Sequence, residues 1–154
     1  PSDLPQRLPE RHHVALHRDL ETAHAAGVSE EDVIAALEQS IQTYLDGVYE
    51  GDAAKLRLAF HPLSHLYTAT PGKLVDYRAP DWIENFCSRP SPKAKGEPRG
   101  DLILSVDFNG PAHAFVKLNC AVPPYYFTDY LTFAKLDGRW QVIAKVYHYD
   151  IREG

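Results

Sequence analysis

Apolar and polar residues alternate through residues 125–149, and Asp137-Gly138 interrupts the alternation near its middle. This pattern predicts a long β-hairpin, because Asp-Gly suits a tight turn that needs positive φ. With a two-residue loop there, Leu136 opposes Arg139, Phe133 opposes Val142, Asp129 opposes Val146 and Phe127 opposes His148. One face then carries Phe127, Asp129, Leu131, Phe133, Trp140, Val142, Ala144, Val146 and His148. The other carries Thr128, Tyr130, Thr132, Gln141, Lys145 and Tyr147. The first face is mostly apolar and is expected to cover a core.

Upstream, the period changes. Val33, Ile34, Leu37, Ile41, Tyr44, Leu45 and Val48 recur at helical spacing behind a Ser29 cap, with Glu30, Glu31 and Asp32 in the first turn. This helix is predicted to run to about Glu50, where Gly51-Asp52 breaks it. A short helix over 53–60 follows and Pro62 ends it. Strands are expected over 63–69 and 73–78, around a Pro71-Gly72 turn. Pro80 and Asp81 open a helix to Cys87. Residues 88–100, with three Pro and two Gly, read as a mobile loop. Strands over 101–108 and 112–122 flank Asn109-Gly110, and Pro123-Pro124 leads into the last hairpin. At the start, residues 1–9 read as an extended arm and 10–26 as a helix stopped by Gly27. The domain division expected is an extension over 1–28 and one α+β domain over 29–154.

Composition narrows the function. With 44% hydrophobic and 24% charged residues, the chain is an ordinary globular one. A net charge of -5 leaves no basic surplus for a nucleic-acid partner. No apolar run approaches a membrane span. The polar, Pro-rich start points to a cytoplasmic protein, with a removed leader left open by the absence of Met. Cys87 and Cys120 fit no metal spacing and read as buried or half-buried thiols. Phosphate loops, dinucleotide fingerprints, nucleophile elbows and zinc motifs are missing, which argues against nucleotide-dependent and serine-hydrolase chemistry.

The helix order, Phe60-His61-Pro62, the helix around Trp82 and the closing Phe-x-Asp-Tyr-Leu-x-Phe…Asp-Gly-x-Trp-x-Val-Ile hairpin together resemble the nuclear transport factor 2-like superfamily. Within it, the pattern over about 30–149 is most similar to the group labelled "putative lumazine-binding", close to SnoaL-like proteins. The resemblance implies a cone: a curved antiparallel or mixed sheet wrapped around the N-terminal helices, enclosing a deep apolar pocket. It also implies cofactor-independent enzymes of the isomerase, dehydratase, cyclase or lyase type, alongside pure binding and interaction modules. Homodimers are common in the superfamily.

Asp129 and His148 are the leading catalytic candidates. On one hairpin face they are diagonal neighbours, with Cα atoms roughly 7–8 Å apart, so Asp129 would orient His148 as a general base. The alternative is a structural ion pair from Asp129 to a Lys or Arg, with His148 exposed. His61 and His65 are candidates for a pocket acid, base or donor; Pro62 between them argues against a helical metal site. Tyr44, Tyr67, Trp82, Phe86 and Phe127 are expected to bind substrate, with Tyr49 as a further aromatic, against a reading as plain core. His12, His13, His17 and His24 read as a solvated helix face. Thr128, Tyr130, Thr132, Ile143 and Tyr147 look too apolar for solvent and suggest a dimer interface on the outer sheet face. The expected partner is a small apolar or aromatic molecule, with no metal and no cofactor.

Overall fold

The computed structural model describes residues 29–153. The expected extension, with its four histidines, lies outside the described residues. Helix α1, Glu30–Glu50, starts where Ser29 Oγ accepts from the Asp32 N–H at 3.1 Å. It stops at Gly51, whose φ of 64° is left-handed. Its apolar stripe, Val33 to Val48, is buried. Helix α2, Ala53–Ala59, is capped by Asp52, which accepts from the Lys55 N–H at 3.2 Å.

Strand β1, Phe60–Thr68, follows α2 directly and contains Pro62. It was expected to begin only at Leu63. Its register to the neighbouring strand is interrupted between Phe60 and His65, so Pro62 interrupts no ladder hydrogen bond there. Strand β2, Val75–Arg78, leads into helix α3, Ala79–Cys87, with Pro80 in its first turn. Strands β3 (Leu102–Asn109), β4 (His113–Val122), β5 (Tyr125–Leu136) and β6 (Arg139–Ile151) complete the chain.

The fold is α+β, with a six-stranded curved, unclosed sheet in the order β2-β1-β6-β5-β4-β3. Neighbours are antiparallel except β1 and β6, which run parallel. Helix α1 packs against α2, β4 and β6, and α3 against α2, β1 and β2. The core between helices and sheet holds Leu37, Ile41, Leu45, Leu56, Leu66, Leu118, Leu131 and Phe133. Among the described residues no helix is long and apolar enough to cross a membrane.

At Gly47, α1 lies tightly against Leu56 of α2. A Cβ built on it would sit 2.8 Å from both Cγ and Cδ2 of Leu56, which is fully buried. Gly47→Ala is therefore expected to cost about 1–3 kcal/mol through overpacking. Urea unfolding measures it; an unchanged midpoint would show that the helices separate freely.

The last hairpin departs from its expected register in one place. Asp137 and Gly138 have φ of 50° and 76°, as the two-residue turn requires. Leu136 opposes Arg139 and Phe133 opposes Val142, as expected. Thr132 then pairs with Ala144, so Ile143 is an extra residue on β6. Beyond this bulge Asp129 opposes Tyr147 rather than Val146, and Phe127 opposes Tyr149 rather than His148. Because side chains alternate strictly along a strand, one inserted residue exchanges the two faces from Ala144 onward. Lys145 and Tyr147 turn to the helix side, while Val146 and His148 turn away from it.

Candidate active site

Helical spacing places Tyr44 on the buried stripe of α1, where its ring meets Phe60 edge-on. Its hydroxyl donates to Asp129 Oδ2 at 2.5 Å. Asp129, on β5, is completely buried and its Oδ1 has no hydrogen-bond partner among the described residues. Lys145, turned inward by the bulge in β6, donates from Nζ to Tyr44 Oη at 2.7 Å and lies 3.6 Å from Asp129 Oδ2. Cys120 Sγ approaches the same Oδ2 at 3.6 Å. One helix and three strands thus bring a lysine, a phenol, a carboxylate and a thiol to one point.

Lys145 is 4% exposed. Its ammonium lies 5.0 Å from the ring centres of Trp82 and Tyr147, 5.3 Å from Tyr44 and 5.9 Å from Phe127. Aromatic faces attract a cation, and most strongly where water is excluded. These rings partly replace the hydration that burial removes from the ammonium.

The group stands at the wall of a cavity of about 680 Å³. Tyr44, Trp82, Phe86, Cys120, Phe127, Lys145, Tyr147 and Tyr149 line it, and Trp82 stacks on Phe86 at 4.9 Å. Asn85, Arg89, Pro90 and Lys95 contribute from α3 and the segment after it. No carboxylate is among the described residues lining the cavity, whereas three cationic side chains are. The segment 88–100, expected to be mobile, is tied to α1. Arg99 donates to Asp46 at 2.9 Å and to Asp101 at 2.7 Å, and the Tyr49 hydroxyl donates to the Glu97 carbonyl. These ties hold one rim of the cavity.

Burial, and then the negative charge of Asp129, raise Tyr44 well above the ordinary phenol range. The same two causes in the same order raise the Cys120 thiol. Tyr147 is pushed up to about 12, by burial first and by Tyr77, Tyr149 and Asp129 after it. In each case the folded state favours the protonated form, so the unfolded chain releases its protons first. The resulting stability is present below the unfolded values, about 8.5 for the thiol and about 10 for the tyrosines, and is lost as pH rises through the folded values. Urea midpoints are accordingly expected to begin falling above about pH 8.5 and to fall further above about pH 10, the second part less steeply in Tyr147→Phe. Identical slopes in the two proteins would contradict this.

Of the residues singled out in the sequence, Tyr44, Trp82, Phe86 and Phe127 line the cavity, and Asp129 lies directly behind Tyr44. The expected Asp129–His148 pair does not form. The bulge turns His148 away, where it meets Thr70 at 3.3 Å and Asp150 at 3.1 Å, with 57% of its side chain exposed. His65 and Tyr67 stack on each other, and His65 pairs with Asp76 at 2.7 Å. Neither lines the cavity. His61 accepts from the Leu63 N–H in the irregular start of β1. Tyr49 serves the segment after α3. Tyr147, assigned from sequence to the outer face, lines the cavity instead, so it cannot support the proposed dimer interface. The residues that sequence reasoning missed are Lys145, Tyr147 and Tyr149. Their signal was the alternation Lys145-x-Tyr147-x-Tyr149, an aromatic row on the face taken as outward. Cys87 is half-buried and Cys120 buried, both as free thiols.

This architecture is the nuclear transport factor 2-like fold. Residues 32–148 match the family described as "Putative lumazine-binding", and the chain belongs to that family. A curated relative, "Aldolase FrzH" from a Cladobotryum species, is 25% identical over 122 residues, covering 78% of this chain and 91% of that protein. Among solved structures, a nuclear transport factor 2-like protein of unknown function from Silicibacter pomeroyi superposes with a TM-score of 0.71 at 23% identity. The match covers 80% of this chain and all of that one, 100%. One from Shewanella baltica gives 0.70 at 20% identity, over 81% and 99% of the two chains.

Proposed function

We propose that this protein is a small-molecule enzyme that moves a proton at the carbon beside a carbonyl group. Such a step opens aldol and retro-aldol, isomerisation and dehydration reactions. The observation that carries the reading is the line Lys145 Nζ–Tyr44 Oη–Asp129 at the wall of an aromatic cavity. A proton passing from Lys145 to Tyr44, as Tyr44 passes its own to Asp129, leaves an amine facing the cavity as a base. Once that amine has taken the substrate proton, the ammonium lies beside the developing enolate oxygen and stabilises it. Among the described residues no carboxylate lines the cavity and three cations do, which favours an electron-rich intermediate in the same way. The aldolase name of the Cladobotryum relative agrees with this class of chemistry.

The substrate is expected to be a small, largely aromatic carbonyl compound, since rings form most of the wall. The test is deuterium exchange at the α-carbon of an aromatic ketone, 2-tetralone, followed by NMR in D₂O. Exchange above the protein-free rate that is lost in Lys145→Met supports the reading; exchange equal in both proteins ends it. A second reading, a non-catalytic binder of a planar ligand, is favoured by the Trp82–Phe86 stack. It predicts saturable binding of 2-tetralone with no exchange.

A further inference from the structure

We propose that Lys145 is also a nucleophile: its amine adds to the substrate carbonyl and holds the substrate as a protonated imine. This deepens the proton-transfer reading and rests on its carbonyl substrate. The position of Nζ supports it first. The amine is almost wholly withdrawn from bulk solvent, yet it lines the cavity, so a ligand reaches it where bulk water is largely excluded. An amine held in place at the wall of a largely apolar cavity meets a bound carbonyl carbon without a long flexible approach. Lys95 stands at the exposed rim of the same cavity, away from Tyr44 and Asp129.

The second support is the proton path. Imine formation requires a proton to leave the amine and later return to the departing oxygen. Tyr44 and Asp129 Oδ2 lie in line to do both. The lysine ammonium first yields a proton to this path. Its nitrogen pair then forms a C–N bond as the carbonyl π pair moves to oxygen, and a second proton passes from that nitrogen to the oxygen to give a neutral carbinolamine. The path next returns its proton to the hydroxyl, the nitrogen pair forms the C=N bond as the C–O bond breaks, and water leaves. Carbonyl plus lysine ammonium thus becomes iminium plus water, with no oxidant or reductant. The iminium withdraws electrons more strongly than the carbonyl; with the Lys145 nitrogen committed to it, the neighbouring proton passes to the Tyr44–Asp129 path, which has by then returned its own, in place of the free amine.

Two plainer readings compete. Lys145 could serve only as counter-ion to Asp129, in which case its amine would never add to a carbonyl. Cys120 also lines the cavity, but burial and Asp129 both hold it as the thiol, so it is the weaker nucleophile.

The experiment incubates the full chain with one equivalent of 2-naphthaldehyde and sodium cyanoborohydride near neutral pH. Intact mass and peptide mapping then locate the reduced adduct. The expected result is one adduct, on Lys145, with loss of that adduct in Lys145→Arg, which keeps the charge but forms no stable imine. Mapping on the unmodified protein decides the matter even where the variant fails to fold. Labelling confined to Lys95 or surface lysines, or no labelling, overturns the proposal. Deuterium exchange without an adduct on Lys145 leaves the proton-transfer reading standing and removes the covalent step. An adduct on Lys145 without exchange keeps the covalent step and removes the proton-transfer reading.

Discussion

Lys145→Met is expected to abolish exchange and to destabilise the protein at the same time, by separate mechanisms. The rate loss is about 10²–10⁴-fold, the contribution of a positioned acid–base group. The stability loss is about 3–5 kcal/mol, because Asp129 is left buried beside no cation. The Tyr44 hydroxyl still reaches Asp129, so the carboxylate keeps one hydrogen bond. A triple variant separates the two effects. Lys145→Met, Asp129→Leu and Tyr44→Phe together remove every polar member of the line and leave apolar groups of similar size. Buried ion pairs replaced in this way often lose little stability and can gain some. The triple variant is therefore expected to unfold near the urea midpoint of the unmodified protein and to show no exchange. Exchange surviving in the triple variant would place the chemistry elsewhere. An unchanged midpoint in Lys145→Met alone would show that Asp129 needs no counter-charge.

A line of polar groups that costs desolvation and is dispensable for folding is expected where chemistry is done rather than where stability is made. Asp129 Oδ1 points the same way. A buried acceptor without a partner among the described residues is expensive to keep, so the carboxylate is held there for its other oxygen, Oδ2, which accepts from Tyr44. The cation–aromatic contacts of Lys145 offset part of the burial cost without supplying a proton acceptor. The ammonium is thereby held without being locked into a saturated hydrogen-bond shell.

Much of this arrangement was legible in the sequence. Helical spacing put Tyr44 on the buried stripe of α1, and the Asp-Gly turn fixed Asp129 on the inner face of β5. The α3 segment announced Trp82 and Phe86 as an aromatic pair beside Pro80. What the sequence hid was the single residue Ile143. It is apolar and β-branched like its neighbours, so nothing in its chemistry marks it as the residue without a partner. A bulge is a property of two strands meeting, and at the same point of β6 the register to β1 also shifts, between Phe60 and His65. One residue miscounted was enough to exchange a lysine for a histidine in the site. The row Lys145, Tyr147 and Tyr149 could have raised the question, since three such side chains on an outer face need a reason.

Deleting Ile143 is expected to restore an unbulged register in β6. The strand beyond it would rotate, so that Lys145, Tyr147 and Tyr149 face outward and Val146 and His148 face the helices. Asp129 would lose its cation, at about 3–5 kcal/mol. Turning out Tyr147 and Tyr149 would forfeit on the order of 1.5–3 kcal/mol for each side chain that had been fully buried, less here because both are only half-buried. Together these approach the whole stability of an ordinary domain, about 5–15 kcal/mol. The deletion variant should therefore unfold at much lower urea or lose its cooperative transition, and Lys145 should no longer be labelled selectively by 2-naphthaldehyde. Ile143→Val is the control. It keeps the residue count and trims one methylene, so it should cost only about 0.5–1.5 kcal/mol and keep the label on Lys145. Only the number of residues in β6 separates the two variants structurally. A deletion variant as stable as Ile143→Val, still labelled at Lys145, would mean that the strand absorbs the change elsewhere. The inward lysine would then be held by its partners rather than by the bulge.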